Sequence, residues 1–234
     1  MEQLDHIAAV LAVSLGAAWA SGINLYAAIL TLGLLGAGGH LVLPPDLQIL
    51  SHPLVIFAAG AMYLVEFFAD KVPGIDTTWD TLHTFIRIPA GAAMAAAAVG
   101  EMDPAVSLAD AIVGGALAAG THAAKSGPRV LINTSPEPVT NWTASLLEDV
   151  AVIAGLWAAL THPWLFLGLL VVFILLLAWL LPKLWRGVKL VFSTLFRFLR
   201  GEPGLKAAMD NSEKSVRQAP SPLIPGEMKD PSSD

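Results

Sequence analysis

The chain has 234 residues, of which 55% are hydrophobic and only 14% charged, and its mean hydropathy is +0.65. A soluble globular domain has about 25% charged residues, so this composition indicates an integral membrane protein. The net charge of −6 argues against nucleic acid as a partner, and a sequence without cysteine excludes disulfides, thiol nucleophiles and thiolate metal sites.

Apolar segments follow one another along most of the chain, each close to the length of about 20 residues that a transmembrane helix needs. Seven are predicted: 6–20, 23–38, 53–69, 81–99, 105–124, 142–160 and 164–181. The first two are short and separated only by Ser21-Gly22, so they form either two full spans or a hairpin that turns inside the membrane. The predicted fold class is an all-α polytopic membrane protein with broken or re-entrant helices.

Composition divides the chain into three parts. Residues 1–182 form the predicted transmembrane domain, and its last apolar segment is expected to be a lipid-facing anchor. Residues 183–200 interleave basic and aromatic side chains, which is typical of a helix lying on an anionic membrane surface. Residues 201–234 are rich in proline, serine and charge, so we expect a disordered cytoplasmic tail there.

Basic residues set the expected orientation, because cytoplasmic loops carry an excess of Lys and Arg. The cluster after residue 181 places the C-terminus in the cytoplasm, and counting back leaves every Lys and Arg on that side, with the N-terminus outside. We therefore expect a multi-pass membrane protein whose C-terminus is cytoplasmic.

A weak internal repeat is also predicted. "FFADK" closes one apolar segment and "THAAK" closes another, which places Lys71 opposite Lys125. Membrane transport folds are often duplicated, with sites where corresponding helices break. Chance matching between alanine-rich helices is the alternative.

The stretch "DTTWDTLHTFIR" contains the most regular group of charges. Asp76, Asp80, His83 and Arg87 stand at i, i+4, i+7 and i+11, which is one face of a helix. Asp76 is the predicted N-cap. Two carboxylates four residues apart suit a divalent cation or a proton, so Asp76 and Asp80 are the metal candidates, while Arg87 suits an anion or an internal ion pair. The alternative is an interfacial helix start.

Glu66 and Asp70 form a second pair at i, i+4, and Lys71 follows directly. A salt bridge from Lys71 to Asp76 or Asp80 would neutralise this loop and is the simpler interpretation. Glu66 lies about one turn inside an apolar segment, where an ionisable group is costly and indicates a site.

Two further groups lie at other breaks. Asn24 adds a polar side chain to the break in "ASGINLYAA", although Ser21 capping a tight turn would explain that break equally well. His122 and Lys125 close a later segment, and an irregular loop beginning at Gly127-Pro128 is expected after it.

Glu148 and Asp149 then stand where the next membrane segment continues, and they are the strongest candidates for buried acids in the second half of the chain.

On the predicted topology all four groups lie on one side of the membrane, which favours a shared polar cavity open to the cytoplasm. The candidate binding residues are Asn24, Glu66, Asp70, Lys71, Asp76, Asp80, His83, Arg87, His122, Lys125, Glu148 and Asp149.

Three stretches resemble a known family. "SGINLYAAILTLGLLG", "FFADKVPGIDTTWDTLHTFIRIPAGA" and "HAAKSGPRVLINTSPEP" are similar to the bacterial membrane-protein family of domain of unknown function 4126, over roughly residues 8–160. The specific part is the run "ADK-x-P-x-x-D". The resemblance implies a multi-pass protein of the bacterial inner (plasma) membrane that is built around these loops, and it implies no substrate.

The leading functional hypothesis is a transporter or channel-like protein for a small ion or solute. Glu66, Asp76, Asp80 and Glu148 would bind a cation or proton, and Arg87 with Lys71 would balance them or contact an anion. The alternatives are a membrane-embedded enzyme acting on a phosphorylated lipid, with His83 as acid or base, and a scaffold or assembly protein. The expected partners are the bilayer and a small ion or solute, with a divalent cation as the only cofactor candidate and a homo-oligomer left open.

Overall fold

The computed structural model describes residues 1–72, 75–100, 102–132 and 138–199, which form α-helices and one 3₁₀ helix. The described residues contain no β-strand, so the predicted all-α class is confirmed. The predicted tail, residues 201–234, lies outside them. The elements are α1 (Glu2–Ala37), the 3₁₀ helix (Pro45–Ser51), α2 (Pro53–Ala69), α3 (Ile75–Val99), α4 (Pro104–Ile132), α5 (Pro138–Thr161) and α6 (Pro163–Leu199).

Helix length and composition make this a multi-pass membrane protein. Five described helices, all except α2, are long and apolar enough to cross a bilayer, and α2 with the preceding 3₁₀ helix is a sixth candidate, bent by 66°. Large apolar side chains of α6 are exposed, as expected of a lipid-facing surface; they include Leu165, Leu169, Val172 and Leu176. The chain separates into two units, 1–188 and 189–234, and the fold described below belongs to the first.

The helix α1 is a hairpin of two arms, because its backbone leaves helical geometry at Asn24 (φ −147°, ψ 100°). A straight helix of this length would separate its ends by about 50 Å. Instead, Leu43 lies against Gly36 at one end of α1 and lines the same surface groove as His6 and Val13 near the other end. Both arms therefore point toward the same end of the bundle.

The tip of the hairpin lies in the middle of the bundle. The Ser21 hydroxyl donates to the carbonyl oxygen of Arg87 at 2.9 Å, and Arg87 is the midpoint of α3, about 18 Å from either end of that helix. The second arm has only 13 residues, about 20 Å, which is too short for a bilayer core of about 30 Å. Of the two arrangements that the sequence left open, a tip level with the middle of α3 favours the hairpin that turns inside the membrane.

The hairpin is surrounded by the other helices, since α1 packs against α2, α3, α4 and α5. Small residues permit close packing of α3 against α4: a Cβ at Gly115 would lie 3.2 Å from the Ala92 side chain, and Gly91 faces Ala118. Aromatic side chains contribute to the contact between α6 and α1, with Phe166 and Phe173 edge-on to Trp19.

Three expected helix boundaries were wrong. The α4 helix continues through Gly127-Pro128 to Ile132, where an irregular loop was expected. The α6 helix continues through Pro182, so residues 183–199 are not a separate helix, and their location on the membrane surface stays a prediction. The α3 helix begins at Ile75, which places Asp76 inside it rather than at its N-cap. A proline removes one backbone hydrogen bond, and both α4 and α6 continue across that gap.

Candidate functional site

Arg87 lies at the centre of the site, in the middle of α3, and none of it is exposed to solvent. One guanidinium nitrogen, Nη2, donates to Oε1 of Glu66 at 2.5 Å, and Nη1 donates to Oδ1 of Asp80 at 3.0 Å. Asp80 precedes Arg87 by two helical turns on α3, whereas Glu66 comes from the end of α2. The sequence predicted that Arg87 contacts either an anion or the partner of an internal ion pair, and the structure shows the internal ion pair.

Lys125 enters the same cluster from α4 and contacts four carboxylates. Its Nζ atom lies 3.1 Å from Asp70 Oδ2, 3.5 Å from Glu66 Oε1, 3.5 Å from Glu148 Oε2 and 3.7 Å from Asp80 Oδ1. Four helices, α2 to α5, thus contribute charged side chains to one cluster, and Asp70 joins it from the position directly after α2. We call this set the charge cluster: Glu66, Asp70, Asp80, Arg87, Lys125 and Glu148.

The charge cluster has more acid than base. Four carboxylates face two bases, which leaves a formal charge of −2 when all six groups are ionised. Removing ions from water costs several kcal/mol each, and only good geometry offsets that cost. Ionisable side chains buried among membrane helices are typical of ion pathways in membrane proteins.

Asn24 connects the break in α1 to α5. Its Oδ1 accepts from the Ala27 backbone N–H at 2.9 Å, so Asn24 is the N-cap of the second arm, a role that the sequence had offered to Ser21. Its Nδ2 donates to Asp149 Oδ1 at 3.0 Å, and the Tyr63 hydroxyl donates to Asp149 Oδ2 at 3.0 Å. The Asp149 carboxylate is therefore held by two neutral donors, unlike the acids around Lys125.

His122 joins the charge cluster to the polar backbone of α3. Arg87 can only donate, so its Nη1 contact of 3.2 Å assigns His122 Nδ1 as an acceptor and places the ring hydrogen on Nε2. Nε2 then donates to the Thr84 hydroxyl at 2.7 Å, and Thr84 donates to the carbonyl oxygen of Asp80 at 2.9 Å. This chain orients a neutral imidazole against the guanidinium.

His83 lies on the predicted face but bonds to other partners. Its Nδ1 donates to the Trp79 carbonyl oxygen at 2.9 Å, and its Nε2 accepts from the Tyr26 hydroxyl at 3.1 Å. The ring stacks on Trp79 with a centroid distance of 4.3 Å. His83 thereby packs the second arm of α1 against α3. Tyr26, its partner, is the second residue of that arm.

Comparison with known proteins identifies the family. The profile described as "Domain of unknown function (DUF4126)" matches residues 11–183, about three quarters of the chain. The chain belongs to this family. Neither the comparison with curated proteins nor the comparison with solved structures found a match.

Within this DUF4126 chain, the matched region contains the charge cluster, Asp149 and the hairpin tip. The resemblance over residues 8–160 is confirmed and extends through most of α6. The family description names no activity, so the chemistry has to be argued from the residues. Transport and the internal repeat stay predictions.

The remaining predicted site residues are Lys71 and Asp76. The Lys71 ammonium lies 2.9 Å above the Phe67 ring and donates to the Phe67 carbonyl oxygen at 2.9 Å. The side chain of Asp76, one of the two metal candidates, lies outside the described residues. Among the side chains that are described, no three His, Asp or Glu residues are arranged to hold a metal ion.

Sequence reasoning missed several polar contacts of this DUF4126 chain. Tyr63, which holds Asp149, precedes Glu66 by three residues and so shares its helix face, a spacing that could have revealed it. Thr84 could have been found in the same way from Asp80. Asp110, about two turns into α4, bonds to the buried Ser14 of α1; its isolation among apolar residues was the available signal.

Proposed function

We propose that the protein moves a small ion across the membrane and that its acidic cluster favours a cation or a proton over an anion. The observation that supports this most is the charge cluster itself, which is buried, acidic and built from several helices. Ionisable groups in this setting are expensive to bury and mark ion paths and proton relays in membrane proteins.

The hairpin tip supports the proposal independently. Transporters place binding sites near the bilayer midplane where helices are discontinuous. Here the break at Asn24 lies level with the middle of α3, and its amide bonds directly to Asp149. A carboxylate beside a helix break can change its hydration or protonation while the break absorbs the backbone movement.

The positions of the bases favour transport over the lipid-phosphate enzyme. Arg87 and Lys125 are the residues that would hold a phosphate, and both contact carboxylates instead. An anion would have to displace those carboxylates from a buried site. We also propose that the end with Lys125 and Lys183 faces the cytoplasm, because basic residues concentrate on that side.

Flux measurements on the full chain in proteoliposomes test this function. We expect uptake of a cation or a proton, and we expect Glu66→Gln and Asp149→Asn to lower it at least tenfold. Asp46→Asn is the matched control, since Asp46 is an exposed acid on the 3₁₀ helix and should match the wild type. Small anions are tested as substrates in the same flux assay.

Two results would contradict the proposal. One is a folded wild-type protein that moves no tested cation, proton or anion. The other is flux that stays at the wild-type level in both cluster variants, because the buried acids would then have no part in the ion path.

A further inference from the structure

Asp149 is a buried acid without a basic partner. It is 4% exposed, and no Lys, Arg or His among the described residues forms an ion pair with it. Its two oxygens accept instead from the Asn24 amide and from the Tyr63 hydroxyl, each at 3.0 Å, and both donors are neutral. A buried carboxylate is normally paired with an opposite charge, and one that is not paired can remove the cost of its charge by binding a proton.

The charges that act on Asp149 from farther away are mixed in sign. They are those of Lys125 on α4 and Asp70 directly after α2. The α1 and α2 helices contact Asp149 through the two neutral donors, and its neighbour on α5, Glu148, contacts Lys125. Gain or loss of a proton on Asp149 therefore changes the charge of its immediate surroundings from −1 to 0.

Tyr63 can deliver that proton. A hydroxyl both donates and accepts, whereas the amide nitrogen of Asn24 only donates. The hydroxyl hydrogen of Tyr63 moves to Asp149 Oδ2 while the Tyr63 oxygen takes a proton from a hydronium ion. One O–H bond breaks as another forms, so the tyrosine stays neutral and the hydronium ion becomes water. The reverse steps release the proton.

A second hydroxyl lies on the other side of Asp149 along α5. Ser145 is 1% exposed, and its hydroxyl has no hydrogen-bond partner in the described part of the chain, although buried polar groups are normally satisfied. It precedes Asp149 by four residues, so the two side chains share one helix face. Ser145 is also one turn nearer the start of α5, and it extends the line of proton-carrying groups in that direction.

We infer that the ion moved by this protein is a proton, that Asp149 binds it beside the hairpin tip, and that the hydroxyls of Tyr63 and Ser145 pass it to and from Asp149. This inference rests on the proposed function and names the ion. The charge cluster is then the ionised framework beside the path, whereas Asp149 changes its charge in each cycle.

The surroundings of Asp149 favour a proton over a metal cation. Hard metal cations require several oxygen ligands. Asp149 is held by N–H and O–H donors, and the carbonyl oxygen of Asn24 already accepts from the Ala27 backbone N–H. Among the side chains that the structure describes, no three His, Asp or Glu residues are arranged to hold a metal ion.

Infrared spectroscopy of the purified full chain tests the proton site directly. A protonated carboxyl group that is shielded from water absorbs at a higher C=O frequency than a hydrated one. As the pH is lowered, we expect the wild type to gain one such band that Asp149→Asn lacks. Asp46→Asn is the matched control, because it removes an exposed acid and should keep the band.

Tyr63→Phe tests the relay, because it keeps the ring and removes only the hydroxyl. We expect the Asp149 band to remain but to shift, since one hydrogen bond to the carboxyl group is lost. Tyr26→Phe is the matched control: it removes the only other tyrosine hydroxyl, which bonds to His83, and should leave the band in place.

Proton uptake into proteoliposomes, driven by a membrane potential, tests the path. We expect Tyr63→Phe and Ser145→Ala each to lower uptake at least tenfold while the Asp149 band persists. A residue with a purely structural role would not lower uptake in a folded protein that retains this band. Asp46→Asn should take up protons at the wild-type rate.

Three results would overturn the inference. The first is a folded wild type and Asp149→Asn with the same carboxyl bands at every pH. The second, which decides the matter if Asp149→Asn does not fold, is a Tyr63→Phe spectrum equal to that of Tyr26→Phe. The third is proton uptake that stays at the wild-type level in both hydroxyl variants.

The outcomes separate this inference from the proposed function. Flux of sodium or potassium by the wild type without any flux of protons would retain transport and reject the proton as its ion. A titrating Asp149 band that shifts in Tyr63→Phe, in a wild type that moves no ion, would retain the proton site and reject transport.

Discussion

Arg87 illustrates how a single side chain can be both necessary and costly. It is completely buried, and its guanidinium contacts Glu66, Asp80 and the imidazole of His122. Replacing a whole buried ion pair by apolar groups is often neutral, whereas removing one partner leaves an uncompensated charge. The stability of this region therefore depends on keeping acid and base together.

We predict that Arg87→Met lowers the free energy of unfolding by about 3–5 kcal/mol, because Glu66 and Asp80 would remain buried without their main counter-ion. Adding Glu66→Gln should recover part of the loss, with a coupling energy of about 0.5–3 kcal/mol. Denaturation of the single and double variants in detergent measures both values. Arg186→Met, at an exposed position, is the control and should be close to neutral. Strictly additive losses in the Arg87→Met and Glu66→Gln double variant would argue against an interaction between Arg87 and Glu66.

At the residue scale, spacing predicted contacts within a helix and missed those between helices. Asp80 and Arg87 were placed on one face because both belong to α3, and the structure joins them. The pairs of Glu66 with Arg87 and of Asn24 with Asp149 depend on how separate helices pack. Helical periodicity contains no information on that packing, so only the convergence of the polar groups could be anticipated.

Among the elements, the α1 hairpin depends on close approach to α4. A Cβ at Gly22 would lie within 2.8 Å of the Thr121 Cβ and would also collide with the Ala118 carbonyl oxygen. The neighbour at Ala118 is backbone and cannot rotate away, so only glycine fits. The hairpin tip is thereby held against the helix that supplies His122 and Lys125.

We predict that Gly22→Ala lowers the unfolding free energy by about 1–3 kcal/mol, the usual cost of overpacking. Gly168→Ala on α6 is the matched control, because its Cβ would meet no atom within 4 Å. That change should be neutral or should stabilise the helix by up to about 1 kcal/mol. Thermal unfolding measures the Tm of both variants. Equal Tm values for Gly22→Ala and Gly168→Ala would mean that the hairpin tip does not pack against α4.

Element boundaries were harder to predict than element existence. Six of the seven apolar segments fall within a helix, the segment 23–38 runs one residue past the end of α1, and α2 matches its predicted range. Gly127-Pro128 and Pro182 were expected to end helices, but α4 and α6 continue through them. Local propensity disfavours proline inside a helix, and tertiary packing overrides that preference.

For the whole molecule, the hairpin decides the topology. The N-terminus, the loop after α1 and the loop between α3 and α4 meet at one end, where His6, Val42 and Met102 line the same groove. Asp5 accepts a hydrogen bond from Trp164 Nε1 at 2.9 Å, which brings the start of α6 to this end as well. The five helices α2 to α6 then alternate in direction.

The chain has no cysteine, so single cysteines can report this topology with an impermeant thiol reagent in sealed vesicles. We predict that Gln3→Cys, Gly39→Cys and Met102→Cys react from one side and Lys183→Cys from the other. Ile23→Cys, at the buried hairpin tip, should react from neither side. Labelling of positions 3 and 39 from opposite sides would mean that α1 crosses as a single helix, and labelling of position 23 from the Lys183 side would mean two full crossings.

The hairpin tip also has a consequence for the order in which the protein is assembled. Ser21 bonds to a residue 66 positions later, and Asn24 bonds to one 125 positions later. At synthesis rates of about 5–20 residues per second, the Asn24 amide waits roughly 6–25 seconds for its carboxylate to leave the ribosome. During that interval the Asn24 amide lacks the carboxylate to which it donates in the finished fold. The nascent hairpin must therefore be sheltered by the insertion machinery or remain near the surface until α5 arrives, so α5 completes the folding of the first 37 residues.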